Sequence, residues 1–191
     1  MSTTEPIRDK QSLRAIADYF LENKNYRNHA MFILGIHTTL RISDLLKLQW
    51  SDVYDEKHHQ FHTHLTITEQ KTNKTKTIAL NKCAIDALRL YYPYRKGKWI
   101  FASRNGDSSP ITRQQSWRIM NNTCKNLGID AKIACHGLRK TWGYHAWSSQ
   151  SVSLVIIMDV YNHANYRVTK RYLGIAQDDL DDAYLNMNFF N

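Results

Sequence analysis

The sequence predicts a mainly α-helical domain with one small antiparallel β-sheet, an α+β arrangement. Three observations lead there. The 191 residues include only 7 glycines and 3 prolines, so few breakers interrupt helical stretches. Apolar residues recur at helical spacing over most of the chain, and one stretch near its middle switches to a period of two, as half-buried strands do.

Leu13, Ile16, Ala17, Phe20 and Leu21 share a helical face, which predicts a first helix over about 11–22. A second, more apolar helix is expected over about 26–38, and a short third over 43–48, just after Arg41. Phe61, Thr63, Leu65 and Ile67 then alternate with His62, His64, Thr66 and Thr68, a strand rich in β-branched residues. Thr72-Asn73-Lys74 suits a turn, 75–80 the returning strand, and Val53 to Asp55 a short third strand. Residues 82–92 return to helix, with Ala84, Ile85, Leu88 and Tyr91 or Tyr92 on the apolar face, and Asn105 to Pro110 is a loop by composition. Helices follow over about 113–126, 136–149, 152–161 and 166–172. In the last segment Leu180, Ala183, Tyr184 and Met187 recur at helical spacing, behind Asp178, Asp179, Asp181 and Asp182. Acids at a helix start suit its dipole, so 178–188 is expected to be a helix whose apolar stripe needs a surface to cover.

The length suits one domain with one sizeable core. The formal charge is +9, and after Arg171 there are four aspartates and no base, so the body before them is more basic still. Such a body expects a polyanion, nucleic acid first, although a basic balance serving only solubility gives the same charge. Cys83, Cys124 and Cys135 are odd in number and lack metal or redox spacing, as in a reduced cytosolic protein. No apolar run reaches membrane-spanning length, and Met1 to Pro6 has no signal pattern, so a cytoplasmic protein with no membrane partner is expected.

Polar residues in three local patterns point to phosphate chemistry. Arg41 lies in Thr38-Thr39-Leu40-Arg41-Ile42-Ser43-Asp44-Leu45-Leu46, and His136 and Arg139 in His136-Gly137-Leu138-Arg139. His163 and Tyr172 lie in the stretch from Asn162 to Gly174. Guanidinium presents a planar fork of donors to phosphate oxygens and stays charged at any relevant pH. Two arginines can grip one phosphate, two histidines can hydrogen-bond it, and a tyrosine can attack it. Tyrosine, with an ordinary pKa of about 10, is a poor nucleophile until positioning and transition-state stabilisation assist it. His58, His59, His62 and His64 make a metal site conceivable, but no further ligand pattern supports it and none is expected.

Taken in order, Arg41, Lys71, His136, Arg139, His163 and Tyr172 resemble the active-site set of the tyrosine recombinase (phage integrase) family, over about Leu13 to Gly174. The resemblance implies that family's catalytic-domain fold over 1–177 and a helical tail, 178–191, that docks either on a neighbouring protomer or on its own body. No counterpart of the helical core-binding domain that usually precedes the fold in the family is expected within this sequence. The chain is therefore expected to be an excised domain of a larger integrase or a natural short recombinase, like those that invert fimbrial promoters.

The resemblance makes Arg41 and Arg139 the catalytic arginines. Asp44, on the helical face of Arg41, is expected to hold its guanidinium or to serve as a helix-start aspartate. His136 would hydrogen-bond the scissile phosphate and help take the tyrosine proton. Tyr172, nine residues after His163, has the family spacing of the nucleophile. A hairpin lysine protonates the leaving 5′-oxygen, and the order of lysine, turn and basic residue selects Lys71 from Lys71, Lys74 and Lys76. Lys74, Lys76 and Lys140 are expected to contact DNA.

The implied activity is site-specific cleavage and rejoining of DNA through a 3′-phosphotyrosyl intermediate, as in mobile-element recombination, with no cofactor and no metal. The implied partners are double-stranded DNA and further copies of the chain, a tetramer on paired sites. The place is the cytoplasm and nucleoid of a bacterium, the gene being bacterial or phage-borne. Two other readings stay open: a non-catalytic DNA-binding module of the same fold, which the complete residue set argues against, and a topoisomerase IB-like relaxing enzyme. Assaying supercoil relaxation against strand exchange separates the last from recombination. The chain departs from the family pattern at Thr39, where glycine is usual, at Tyr161-Asn162, where Leu-Gly is usual, and at Lys140, where histidine is frequent.

Overall fold

The chain is described by a computed structural model over residues 4–70, 73–103, 109–129, 135–175 and 177–187. It divides into two compact units, Met1–Trp142 and Gly143–Asn191.

In the first unit, Asp9 starts α1 (Lys10–Glu22) by accepting the Gln11 and Ser12 amides, which satisfies two donors that no helical carbonyl reaches. Ile16 and Phe20 are its buried stripe. α2 (Tyr26–His37) packs against both α1 and α4 (Lys82–Tyr91) and buries Ala30, Met31, Phe32 and Leu34. Being flanked on two sides explains why α2 is apolar around much of its circumference. α3 (Ile42–Leu46) is a short helix that seats Leu45 and Leu46 in the same core. In α4 the buried face is Ala84, Ala87, Leu88 and Tyr91, with Ile85 and Tyr92 packed against it in part. α5 (Arg113–Asn126) begins at a reciprocal cap in which Thr112 accepts from the Gln115 amide and Gln115 accepts from the Thr112 amide.

The β region differs from the single sheet expected. β1 (Tyr54–Asp55) pairs with β2 (Gln60–Phe61), and β3 (His64–Thr68) pairs with β4 (Thr75–Ala79), two separate antiparallel pairs. The stretch that reads as one strand changes partner at His62-Thr63. The His62 amide donates to the Val53 carbonyl, whereas the Thr63 carbonyl accepts from the Leu80 amide. Period-two patterning shows which side chains face inward, not which backbone they meet. In β3–β4 the outer face carries Thr66 opposite Thr77 and Thr68 opposite Thr75, their hydroxyls 3.2 and 3.3 Å apart. A turn of 3₁₀ helix at Trp50–Asp52, closed by reciprocal hydrogen bonds between Gln49 and Asp52, and another at Tyr92–Tyr94 carry no apolar periodicity that would announce them. The expected loop at 105–110 lies mostly outside the described residues, as does Thr72 of the expected turn.

α6 (Cys135–Ser148) contains the boundary between the units. Gly35 of α2 lies so close to Leu138 of α6 that a Cβ there would stand 2.7 Å from the Leu138 Cδ1. This close approach carries the residue after Leu138, Arg139, to the chain that follows α2.

The second unit holds α7 (Leu154–Tyr161), α8 (Tyr166–Leu173) and α9 (Gln177–Leu185). The tail expected as a separate element from 178 onward thus falls in the same unit as α7 and α8. Gly143 lies against the Tyr161 ring and Leu173, and a Cβ on it would come within 2.7 Å of Leu173 Cδ2. Gly143→Ala is therefore expected to cost about 1–3 kcal/mol by overpacking. A melting temperature unchanged from wild type would show that the Tyr161 ring yields. Among the described residues no helix is long and apolar enough to cross a membrane.

Candidate active site

The first unit builds a cluster of cations around the turn that leaves α2. The helix ends at His37, and Thr39 then takes a left-handed conformation, φ 55°. For a β-branched residue this costs about 1–2 kcal/mol, which explains why glycine is usual here in the family. The Thr39 carbonyl and hydroxyl are both engaged. Its carbonyl accepts from Arg139 Nη1, and its hydroxyl accepts from Lys76 Nζ at 3.2 Å. Two residues on, Arg41 occupies the position just before α3.

Arg41 Nη1 stands 2.6 Å from Glu69 Oε2, an ion contact rather than an aligned hydrogen bond, and Arg139 Nη1 stands 3.9 Å from Glu69 Oε1. Arg139 is 3% exposed, whereas the Arg41 side chain is 22% exposed. The two expected catalytic arginines are thus brought together, on a carboxylate that the sequence patterns did not single out. A signal for Glu69 was present: it continues the inward face of β3 after Leu65 and Ile67, and an acid on a buried face requires a cation.

The expected pairing of Asp44 with Arg41 is not what the structure has. The carboxylate that meets Arg41 is Glu69, while Asp44 Oδ1 accepts from the Gln70 amide at 3.4 Å and so ties α3 to the end of β3. The reason is geometric: Arg41 precedes the first turn with extended backbone, so three-residue helical spacing does not apply between them.

Lys76 and Lys140, expected to contact DNA, are both partly buried. Lys76 points inward from β4 with Ile78, and burial, then Arg139 and Arg41, pull its pKa down to about 8 while Glu69 pulls upward. Lys140 donates to the Thr4 carbonyl at 2.7 Å. Lys74 is exposed. Lys71 lies outside the described residues; His136 stands in the first turn of α6, and its side chain is likewise outside them.

The second unit positions the other two groups. Asn162 ends α7 in the left-handed conformation, φ 55°, and the His163 amide then donates to the Met158 carbonyl at 2.9 Å. Asparagine tolerates this backbone better than most side chains, which is why it can replace the usual glycine. The cap delivers His163, whose Nδ1 lies 3.1 Å from Thr169 Oγ1 of α8. Asn165 caps α8 by accepting the Arg167 amide, and Gly174 ends it with φ 72°, one turn carrying Thr169, Tyr172 and Leu173 inward. The Tyr172 ring meets His163 edge-on at 5.1 Å and Tyr161 at 4.8 Å, and its hydroxyl oxygen is buried.

His58 Nδ1 contacts Asp55 Oδ2 at 2.6 Å, and among the described residues no three His, Cys, Asp or Glu side chains gather as metal ligands. His64 Nδ1 lies 3.1 Å from Thr63 Oγ1.

The fold and the sequence patterns together define a class of DNA-recombining enzymes. The sequence pattern of the phage integrase family matches residues 8–178, and the chain belongs to that family, the tyrosine-type site-specific DNA recombinases. It is 34% identical over 189 residues to the probable integrase/recombinase YoeC of Bacillus subtilis, covering 96% of this chain and 97% of that one. It is 29% identical to the type 1 fimbriae regulatory protein FimB of Escherichia coli K12, over 76% of this chain and 72% of that protein. Against the tyrosine recombinase XerD of Halalkalibacterium halodurans it is 25% identical and spans only 54% of the relative's length. Among solved structures, the XerA recombinase superposes with a TM-score of 0.75 at 17% identity, over 98% of this chain and 66% of that one. That likeness bears out the expected catalytic-domain fold.

Proposed function

We propose that this recombinase cleaves one DNA strand with Tyr172, conserving the phosphodiester energy in a 3′-phosphotyrosyl ester. The Tyr172 oxygen bonds to phosphorus as the bond to the 5′-oxygen breaks. The tyrosine proton passes to His136, and Lys71 delivers a proton to the leaving oxygen. Arg41 and Arg139 stabilise the charge on the non-bridging oxygens, with His163 as a further hydrogen-bond donor. A partner strand's 5′-hydroxyl then reverses the step and joins the new strand. The observation that supports this most is the convergence of Arg41 and Arg139, far apart in the first unit's sequence, on Glu69. No metal or cofactor enters the step. Incubation with a nicked suicide duplex, followed by mapping of the covalently attached residue, tests the reading.

The DNA partner is double-stranded. Structures of related recombinases, among them XerH on its difH substrate and a lambda integrase dimer on a core site, are DNA complexes. Residues 1–177 act as the catalytic domain and the chain assembles as a tetramer on paired sites, in the bacterial cytoplasm at the nucleoid. Lys74, exposed on the hairpin, contacts the DNA backbone.

The tail from 178 onward serves assembly. Tyr184 and Leu185 of α9 are 83% and 81% exposed and Met187 is also exposed, a surface suited to a neighbouring protomer. Truncation after Gly174 is expected to spare folding and DNA binding while reducing cooperative assembly, read by gel shift on one site against two. If the truncated protein unfolds, the tail belongs to its own unit's core.

The proton donor is separately testable. Lys71→Ala is expected to lose cleavage of an ordinary duplex and regain it when sulfur replaces the bridging 5′-oxygen, because a thiolate leaves without a proton. Rescue of Lys76→Ala or Lys74→Ala instead would move the donor to that lysine.

A further inference from the structure

We propose that Glu69 is a positioning residue of the recombinase: its buried carboxylate sets the Arg41 fork and balances the Arg41, Arg139 and Lys76 cations, so that the protein itself fixes the arginine geometry. The inference rests on the reading of Arg41 and Arg139 as the pair that grips the scissile phosphate.

The arrangement is directional. Arg41 Nη1, the nitrogen against Glu69, is buried, and the Glu69 side chain is 5% exposed. The exposure that Arg41 retains therefore lies in the rest of its side chain. Its other oxygen is 3.9 Å from Arg139 Nη1, so one carboxylate relates two guanidiniums that belong to α6 and to the start of α3.

Charge gives the second reason. Three cations in a poorly solvated cluster repel one another, and burial disfavours each. Glu69 is the group that opposes the effect of burial and of both arginines on Lys76. The remaining carboxylate nearby, Asp44, is engaged with the Gln70 amide through Oδ1. The hairpin also holds Glu69 firmly: its amide donates to the Lys74 carbonyl at 3.0 Å and its carbonyl accepts from the Asn73 amide at 2.8 Å. A rigid strand end is a better base for a positioning group than a free loop.

The test compares wild type, Glu69→Gln, Glu69→Asp and Arg41→Ala in single-turnover cleavage of a nicked duplex. The duplex is recovered from a random library by covalent trapping on the wild-type chain. Glu69→Gln is expected to slow cleavage by about tenfold to a hundredfold, the scale on which residues that orient other groups act. Its DNA affinity is expected to stay level or rise, since a negative charge has been removed. Lys76, followed by NMR of 13Cε-labelled lysine without DNA, is expected to titrate at lower pH in Glu69→Gln than in wild type, and near wild type in Glu69→Asp. A purely structural role would not move that titration while sparing the affinity. Wild-type cleavage with an unmoved Lys76 titration overturns the proposal. So does faster cleavage, which would make the carboxylate a competitor of the phosphate. If Glu69→Gln does not fold, Glu69→Asp decides: its shorter carboxylate withdraws from Arg41, and a wild-type rate there overturns the proposal. Arg41→Ala separates the two readings. Unchanged cleavage in that variant defeats the catalytic role of the arginine itself, whereas lost cleavage beside a wild-type Glu69→Gln defeats only the positioning role.

Discussion

Tyr172→Phe is expected to abolish covalent attachment to DNA and leave DNA binding and folding intact. Only the hydroxyl is removed. The ring contacts with His163 at 5.1 Å and Tyr161 at 4.8 Å are made by the part of the side chain that phenylalanine keeps. The stability change is therefore expected to stay within about 1 kcal/mol, the ordinary worth of one hydroxyl's hydrogen bonding. The chemistry has no such tolerance, because without the oxygen no ester can form. Denaturing gels of the protein with a nicked suicide duplex read the result directly. A covalent band in the phenylalanine variant would assign the nucleophile to another tyrosine. Tyr166, exposed at the start of α8, is placed too early after His163, and Tyr161 is buried against Gly143.

Arg41→Ala and Arg139→Ala are each expected to slow cleavage by roughly 100- to 1,000-fold, since one lost donor to a transition-state oxyanion costs about 2.7–4 kcal/mol. The two differ in their cost to the fold. Arg41 is partly exposed, so its alanine variant keeps most of its packing but removes the ion contact from Glu69. Arg139 is buried and donates to the Thr39 carbonyl, so its removal also strands a backbone acceptor, for about 1–3 kcal/mol more. Arg139→Ala should therefore melt at a lower temperature than Arg41→Ala at similar catalytic loss. Lysine at either position is not expected to restore the rate, because a point charge lacks the planar fork. Wild-type cleavage in either alanine variant would remove that arginine from the reaction.

The residues with chemistry were legible because their types and spacings repeat a reaction's requirements. Arg41, Arg139, His163 and Tyr172 stand in local patterns whose order follows the family's, and the helices that carry or flank them were expected close to where they form. Even the departures at Thr39 and Asn162 marked real backbone features, since both adopt the left-handed conformation for which glycine is the usual residue. Element types were set by the same local signals: helical stripes in α1, α4 and α8, period two in β3 and β4, and cap chemistry at Asp9, Thr112 and Asn165.

What the sequence by itself determined was therefore the inventory: which elements form, which face of each turns inward, and which side chains are equipped to handle a phosphate. The tertiary structure decided who meets whom. Only it showed that the strand through His62-Thr63 serves two partners, and that Lys140 is engaged by the Thr4 carbonyl. Only it replaced Asp44 with Glu69 beside Arg41 and drew Lys76 into the arginine cluster. The physical reason is that periodicity is a property of one segment, whereas an ion pair between residues 28 positions apart depends on how β3 lies against the chain after α2. Burial tells a charged side chain that it needs a counter-charge; packing alone selects which one it finds.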